Sequence, residues 1–296
     1  MTWLIVGATG QLGRALCSNL LDRGIKFSAW GSSELDIRIN NLCIEKIAAL
    51  NPSIVINAAA WTDVDAAESD PKGADAVNNF GALNLASASK AIGAVFVHVS
   101  TDYVFSGISS QPWNEADLWS PECIYGITKA AGEISVLNEY GEKSYILRTA
   151  WLYSQWGNNL VKSMARYALL GSDVVRVVND QIGQPTSASD LANQIVETVL
   201  AKLPFGIYHG TNSGQVSRFD CALEVFKLCR VSVARLVPIS TKEFVQKAKR
   251  PAYSVLGHDR WSIISKDGIS VSPMNDWKIA LNNSMPAIIS AVKDKD

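Results

Sequence analysis

An apolar stretch, Trp3–Val6, runs directly into Gly7-Ala8-Thr9-Gly10-Gln11-Leu12-Gly13, which opens a helical pattern through Ala15, Leu16, Leu20 and Leu21. Few features restrict a fold more. Glycines at this spacing allow a tight strand-to-helix turn and bring backbone N–H groups close to a bound pyrophosphate. The same alternation then repeats. Apolar runs at Trp3–Val6, Lys26–Trp30, Ile54–Asn57, Val95–Val99 and Tyr145–Thr149 read as strands. Helical patterns follow at Gln11–Asp22, Asn41–Leu50, Lys72–Ala91 and Tyr125–Tyr140. Such alternation predicts an α/β fold, a doubly wound parallel sheet with helices on both faces.

The pattern loosens after Arg148. A helix near Asn159–Leu170, a strand at Val174–Val178, a helix at Ala188–Lys202, a strand at Gly206–His209 and a helix at Arg218–Arg230 precede a tail read as irregular, punctuated by Pro238, Pro251 and Pro273. The expected division is a dinucleotide-binding domain over residues 1–152, with return segments near 174–200. Residues 153–296 then form mainly a smaller α/β substrate-binding domain.

Composition narrows the class. A chain of 296 residues with 48% hydrophobic and 19% charged residues and a net charge of −1 is an ordinary globular protein. Nothing in that charge points to a surface for nucleic acid or an anionic membrane. The five cysteines form no C-x-x-C pair, so a reducing compartment fits. No apolar run nears the roughly 18 residues a membrane span needs, and Met1 leads at once into the first strand. A cytoplasmic protein is expected. His98, His209 and His258 lack metal-ligand spacing, and Asp63, Asp65, Glu68 and Asp70 read as a solvated loop and helix start, so no metal is expected.

In a doubly wound sheet, ligands gather at the carboxyl ends of the strands. Gly7, Asn57, Ser100 and Thr149 all fall there. Tyr125 and Lys129 lie one helical turn apart and share a face. An adjacent ammonium favours the phenolate and lowers the phenol's pKa toward the working range. Thr101, just past the fourth strand, could hold a carbonyl oxygen while Tyr125 protonates it, although Ser100-Thr101-Asp102 is also good turn-capping chemistry. Small residues at Ala58, Ala59 and Ala60 let a cofactor lie against the backbone, Thr62 could bind a ribose, and Val64 could face a substrate. Arg148, Trp151 and Tyr153 could line a pocket. The second strand ends Trp30-Gly31-Ser32-Ser33, with neither an acid nor an arginine, so NADPH and NADH both stay open; Asp36-Ile37 lies a little further on.

Together these segments resemble the extended short-chain dehydrogenase/reductases with their Rossmann-like sheet, and more narrowly the dTDP-4-dehydrorhamnose reductase family. The resemblance runs over nearly the whole chain. It is carried by Gly7–Gly13, Glu34–Ile37, Ile56–Thr62, Val64–Glu68, Ser100–Phe105, Tyr125–Lys129 and Arg148-Thr149, and most specifically by Asp180–Thr186 with Asp190-Leu191-Ala192; Arg250-Pro251 adds to it. It implies that Thr101, Tyr125 and Lys129 are catalytic. Gly7, Thr9, Gly10, Gln11, Leu12, Asp36, Ile37, Ala58, Ala59, Ala60, Thr62, Tyr125 and Lys129 would touch NADPH or NADH. Val64, Thr101, Asp102, Tyr103, Trp151, Gln184 and Arg250 would face a dTDP-sugar. The implied reaction is reduction of the C4 ketone of dTDP-4-dehydro-L-rhamnose.

The chain departs from the family pattern at Ser106, Leu160 and Tyr253, and Arg14-Ala15 lacks a glutamate that helps some members bind magnesium. These changes bear on the sugar and the product stereochemistry. A reductase forming dTDP-6-deoxy-L-talose, an epimerase, or a non-catalytic regulatory subunit resembling that of methionine adenosyltransferase are the alternatives. Oligomeric state is open, a homodimer among the options.

Overall fold

The computed structural model describes residues 2–262 and 271–294. Its centre is one six-stranded sheet: β1 (Trp3–Val6), β2 (Phe27–Trp30), β3 (Ile54–Asn57), β4 (Val95–Thr101), β5 (Ser144–Thr149) and β6 (Gly206–His209). The spatial order is β6-β5-β4-β3-β1-β2, and every pairing is parallel. Strand order reverses between β1 and β3, which opens a crevice above their carboxyl ends. Burial of β1, β3 and β5 on both faces explains their near-continuous apolar runs.

Two cores flank the sheet. One packs α1 (Gln11–Asp22) and α5 (Ala188–Leu200) through Leu12, Leu16, Leu20, Leu191 and Ile195. The other packs α2 (Asn40–Leu50) and α3 (Gly81–Ala91) through Cys43, Ile47, Leu85 and Phe96. Between α3 and β5 in sequence, α4 (Ile124–Tyr140) completes this face and carries Tyr125 and Lys129.

The second unit has its own core, built on helices Leu160–Leu170, Arg218–Leu228 and Trp277–Lys293 with Val175, Val177 and Leu236. Of the expected return segments near 174–200, the helix α5 packs on the first core. Val175–Val178 pairs with Leu236–Ile239 in the second unit. The segment that rejoins the first unit comprises α5 and β6, since β6 hydrogen-bonds to β5. The expected irregular tail also contains a helix, Trp277–Lys293, with Pro286 inside it. Proline reads as a breaker in sequence; here Asp276 caps the helix start, and Trp277, Leu281, Met285 and Ile288 bury one face. Among the described residues no helix is long and apolar enough to cross a membrane.

Candidate active site

The glycine turn is held by Gly7 N–H and Ala8 N–H, which both donate to the Trp30 carbonyl, at 2.9 and 3.0 Å. Gly7 has φ +82°, and a Cβ there would lie 2.5 Å from the Ala59 nitrogen. At Gly13 a Cβ would lie 2.2 Å from the Gly7 carbonyl oxygen, so α1 packs directly on the turn. Gly10 caps α1 with no side-chain bond, and the first turn carries no acidic residue. The first N–H groups of α1 therefore face the crevice, suited to an anion. Gly13→Ala is expected to cost about 1–3 kcal/mol of stability by overpacking and to weaken dinucleotide binding, as read by thermal unfolding and titration.

A cleft of about 880 Å³ opens above these strand ends. Gly7, Thr9, Gly10, Gln11, Leu12, Asp36, Ile37, Ala58, Ala59, Ala60, Thr62, Tyr125 and Lys129 all line it, together with Ser32, Arg38, Ser100, Thr149 and Asn158. The glycine cradle, the uncapped helix start and the alanine wall fit a dinucleotide. Arg38 is a rim residue that sequence reasoning missed. Asp36 grips it in two hydrogen bonds, from Arg38 Nε at 2.9 Å and Nη2 at 2.7 Å. Its place two residues after Asp36 was the available signal.

Tyr125 and Lys129 line the cleft, and Thr101 lies beside Tyr125. Thr101 is buried; its hydroxyl donates to Asp102 Oδ1 at 3.0 Å and accepts from Tyr103 N–H at 3.3 Å. It therefore caps a turn, and its hydroxyl neighbours the Tyr125 phenol, favouring the phenol's charged form. The expected lowering of the Tyr125 pKa is corrected: burial first, then the Asp102 charge, push the phenol up, opposed by the Thr101 hydrogen bond. The reason is where Lys129 spends its ammonium. Its Nζ donates to the Val99 carbonyl at 2.6 Å and lies 3.4 Å from His98 Nε2. Burial moves Lys129 itself down to about 8, opposed by the charge of Glu133.

Long-range contacts hold α4 in place. Arg148 and Glu133 are both fully buried and joined at 2.7–3.1 Å, with Trp119 Nε1 donating to Glu133 at 2.6 Å. Arg148 is thus a clamp between β5 and α4, not the pocket-lining residue that its strand-end position suggested. On the other side, the expected continuous helix over Lys72–Ala91 is interrupted by a π turn at Ala76–Phe80. There Asn78 accepts from Trp61 N–H at 2.9 Å and donates to Thr128 Oγ1 at 3.1 Å. The wide turn joins the loop before Thr62 to the helix of Tyr125; π turns often mark functional sites.

The expected sugar-side residues divide. Val64, Tyr103 and Tyr125 pack in one cluster, the two tyrosine rings edge to face at 5.4 Å. Asp102 is buried, with Oδ2 lacking a partner; burial pushes its carboxyl up to about 6, opposed by hydrogen bonds from Ser254 and Thr101 and the charge of Arg218. Arg250 pairs with Asp65 at 2.7 Å, and its buried Nη1 has no partner. Trp151 adopts φ +41°, uncommon for a bulky residue. Its indole lies against Gly183, where a Cβ would come within 2.6 Å of the ring, and the Arg218 guanidinium stacks over it at 4.4 Å. Gln181 holds Arg218 through Nε at 2.7 Å. Arg218 was not singled out from sequence, because nothing local signals a residue brought in from helix Arg218–Leu228.

Gln184 is corrected. It is buried, and its Oε1 accepts from Leu256 N–H at 2.8 Å and from Thr211 at 3.0 Å, while Nε2 donates to the Leu256 carbonyl at 3.2 Å. It ties segments together rather than presenting an amide to a ligand. The acidic cluster is likewise structural. Asp63 and Asp70 cap short helices, Asp65 grips Arg250, and Glu68 accepts from Ile124 N–H at 2.8 Å at the start of α4.

A parallel sheet with a dinucleotide cleft and a Thr–Tyr–Lys group at that cleft define an oxidoreductase of the short-chain dehydrogenase/reductase type. Comparison over the whole length narrows this. Residues 1–288 match the family profile described as RmlD substrate binding domain. A dTDP-4-dehydrorhamnose reductase of Streptomyces griseus is 42% identical over 97% of this chain and 93% of its own. A probable dTDP-4,6-dihydroxy-2-methyloxan-3-one 4-ketoreductase of Streptomyces antibioticus is 39% identical over 98% and 97%. The crystal structure of Bacillus anthracis dTDP-4-dehydrorhamnose reductase in complex with NADP superposes with a TM-score of 0.90 at 35% identity, over 96% of this chain and 98% of that one. The chain belongs to the dTDP-4-dehydrorhamnose reductase family.

Proposed function

We propose that this protein reduces the C4 ketone of dTDP-4-dehydro-L-rhamnose to give dTDP-L-rhamnose, using NADPH or NADH. The observation that carries the reading is the cleft lined by Gly7, Thr9–Leu12, Tyr125 and Lys129, with Thr101 beside Tyr125, in a chain similar to named reductases over nearly its full length. Gly7, Gly10, Gln11 and Leu12 would hold the pyrophosphate, Ala58–Ala60 the dinucleotide's flank, and Ser32 with Arg38 the adenosine ribose and any 2′-phosphate. A reduced nicotinamide bound there supplies hydride to the ketone carbon.

The side chains manage the oxygen. Thr101 swings its hydroxyl proton from Asp102 to the carbonyl oxygen, polarising it. Tyr125 then donates its phenolic proton to the developing alkoxide, and Lys129, one turn further along α4, is placed to re-supply a proton to it. Val64, Tyr103, Trp151 and Arg250 would shape the sugar-nucleotide side, with Asp102 next to the reacting oxygen. Because the Lys129 ammonium is set at about 8 by burial, the alkaline limb of kcat is expected to fall through about that pH.

The cofactor side has its own test. Arg38→Ala is expected to raise KM for NADPH by about tenfold and to leave KM for NADH within about twofold, since the loss is of a charge-assisted contact to phosphate. The reaction is tested by NMR of the product formed from dTDP-4-dehydro-L-rhamnose. A second reading, a related 4-ketoreductase acting on a different dTDP-sugar, draws on the Streptomyces antibioticus relative. No product from this ketone and turnover of another would favour that second reading, whereas a talose configuration at C4 would mark a reductase forming dTDP-6-deoxy-L-talose.

A further inference from the structure

His98 is buried in β4, directly opposite Asn57 in the register with β3. Its ring is bracketed by two contacts, Asn57 Nδ2 at 3.1 Å from Nδ1 and Lys129 Nζ at 3.4 Å from Nε2. The proton on the ring can be located by elimination. Ala59 N–H lies 3.0 Å from the Asn57 side chain, and a backbone N–H can only donate, so the Asn57 atom there is the oxygen. The other end of that amide is then an NH2 group, which also only donates. His98 Nδ1 must accept. Burial and the Lys129 charge push the imidazole's pKa well below its ordinary value, so the ring is neutral and its single proton sits on Nε2.

That N–H points at the lysine nitrogen. An ammonium in this position sets donor against donor, consistent with a contact of 3.4 Å beside the 2.6 Å bond to Val99. A neutral amine would offer it a lone pair. We infer that His98, locked in one tautomer by Asn57, is a positioning residue for Lys129, directing an N–H at its nitrogen so that the lysine gives up its proton more readily. This rests on the proposed reductase reading. Each turnover takes a proton from Tyr125 to the product hydroxyl. Lys129 would return one N–H proton to the phenolate and recover it from water in the cleft.

The titratable groups around Lys129 are few. Tyr125 and Glu133 lie one turn before and after it on α4, Glu133 committed to Arg148, and His98 faces it from the sheet. From β3 and β5, His98 meets the uncharged Asn57 and Ile146.

The tautomer can be read without any assay of activity. In protein labelled with 15N-histidine, NMR two-bond correlations for His98, assigned by their loss in His98→Gln, are expected to show a neutral ring protonated at Nε2 from about pH 6 to about pH 9. A proton on Nδ1, or a charged ring in that range, would overturn the inference even in an active enzyme. Asn57→Asp supplies an acceptor instead of a donor. It is expected to move the proton to Nδ1, leave Nε2 as an acceptor for the ammonium, and raise the alkaline limb of kcat by about one pH unit, a tenfold change in proton affinity. The new carboxylate's own charge is separated by adding His98→Phe. Loss of most of the shift in the double variant supports the inference, and an undiminished shift contradicts it. Absence of wild-type turnover would remove the reductase reading while leaving the tautomer result to stand by itself.

Discussion

Replacing Tyr125 with phenylalanine will lower kcat by about two to four orders of magnitude, the usual contribution of a positioned proton donor. The ring itself will stay in place. It packs edge to face on Tyr103 and against Val64, contacts that phenylalanine preserves. NADPH affinity should accordingly change little, since the dinucleotide surface is formed mainly by Gly7–Leu12, the Ala58–Ala60 wall and the Ser32–Arg38 rim. Stopped-flow single turnovers and NADPH titration separate the two quantities. A variant that loses binding as heavily as rate would mean that Tyr125 is a wall of the cleft and not its acid. Retention of more than about a tenth of kcat would mean that the proton comes from elsewhere, with Asp102, whose charge acts on Tyr125 and whose pKa burial raises to about 6, the candidate.

The second large effect lies away from the chemistry. Glu133→Ala will destabilise the protein by about 3–5 kcal/mol, because it leaves the Arg148 guanidinium buried without its carboxylate. Both side chains have no exposed surface, and the other contacts of Arg148 include the Glu115 carbonyl and the rings of Phe105 and Trp119, none of which carries a compensating negative charge. The loss should be read by urea unfolding. Changing both residues to methionine should recover most of it, since replacing a buried ion pair by apolar groups of similar size is often neutral or stabilising. The same pair fixes α4, carrying Tyr125 and Lys129, against the end of β5. The double methionine variant should therefore keep its stability yet lose part of kcat, through looser placement of those two side chains. Equal loss of stability in the double variant would show that the pair contributes packing rather than charge compensation.

The glycine turn, the β/α alternation and the Tyr125–Lys129 spacing were legible because each is a local pattern whose physical meaning needs only near neighbours. Gly7 needs positive φ, and Gly13 needs the absence of a Cβ. The parallel sheet follows from strands that are apolar on both faces. What sequence could not show depends on distant partners. Arg148 reads as a pocket residue until Glu133 and Trp119 are placed around it. Gln184 reads as a ligand contact until Leu256 and Thr211 occupy its amide. Lys129 promises an acidified phenol from spacing alone, but the ammonium is spent on Val99. The helix at Trp277–Lys293 lies in the tail read as irregular from Pro238, Pro251 and Pro273, all of which precede it, and the π turn at Ala76–Phe80 has no composition signal. The strongest motif, Asp180–Thr186, now has a physical account. Asp180 accepts from Thr241, Gln181 orients Arg218 over Trp151, Gly183 leaves room for the indole, and Gln184 anchors Leu256. It is a scaffold that holds Thr241, Arg218, Trp151 and Leu256 together.

Hydride transfer to the sugar can be followed directly. The protein is given dTDP-4-dehydro-L-rhamnose and NADPH deuterated at C4 of the nicotinamide, on the transferred face, and the product is examined by NMR. Deuterium at C4 of a rhamnose-configured sugar, one per dinucleotide oxidised, is the result expected here. Unchanged ketone with both NADPH and NADH, or a product whose C4 hydrogen comes from water, would contradict it.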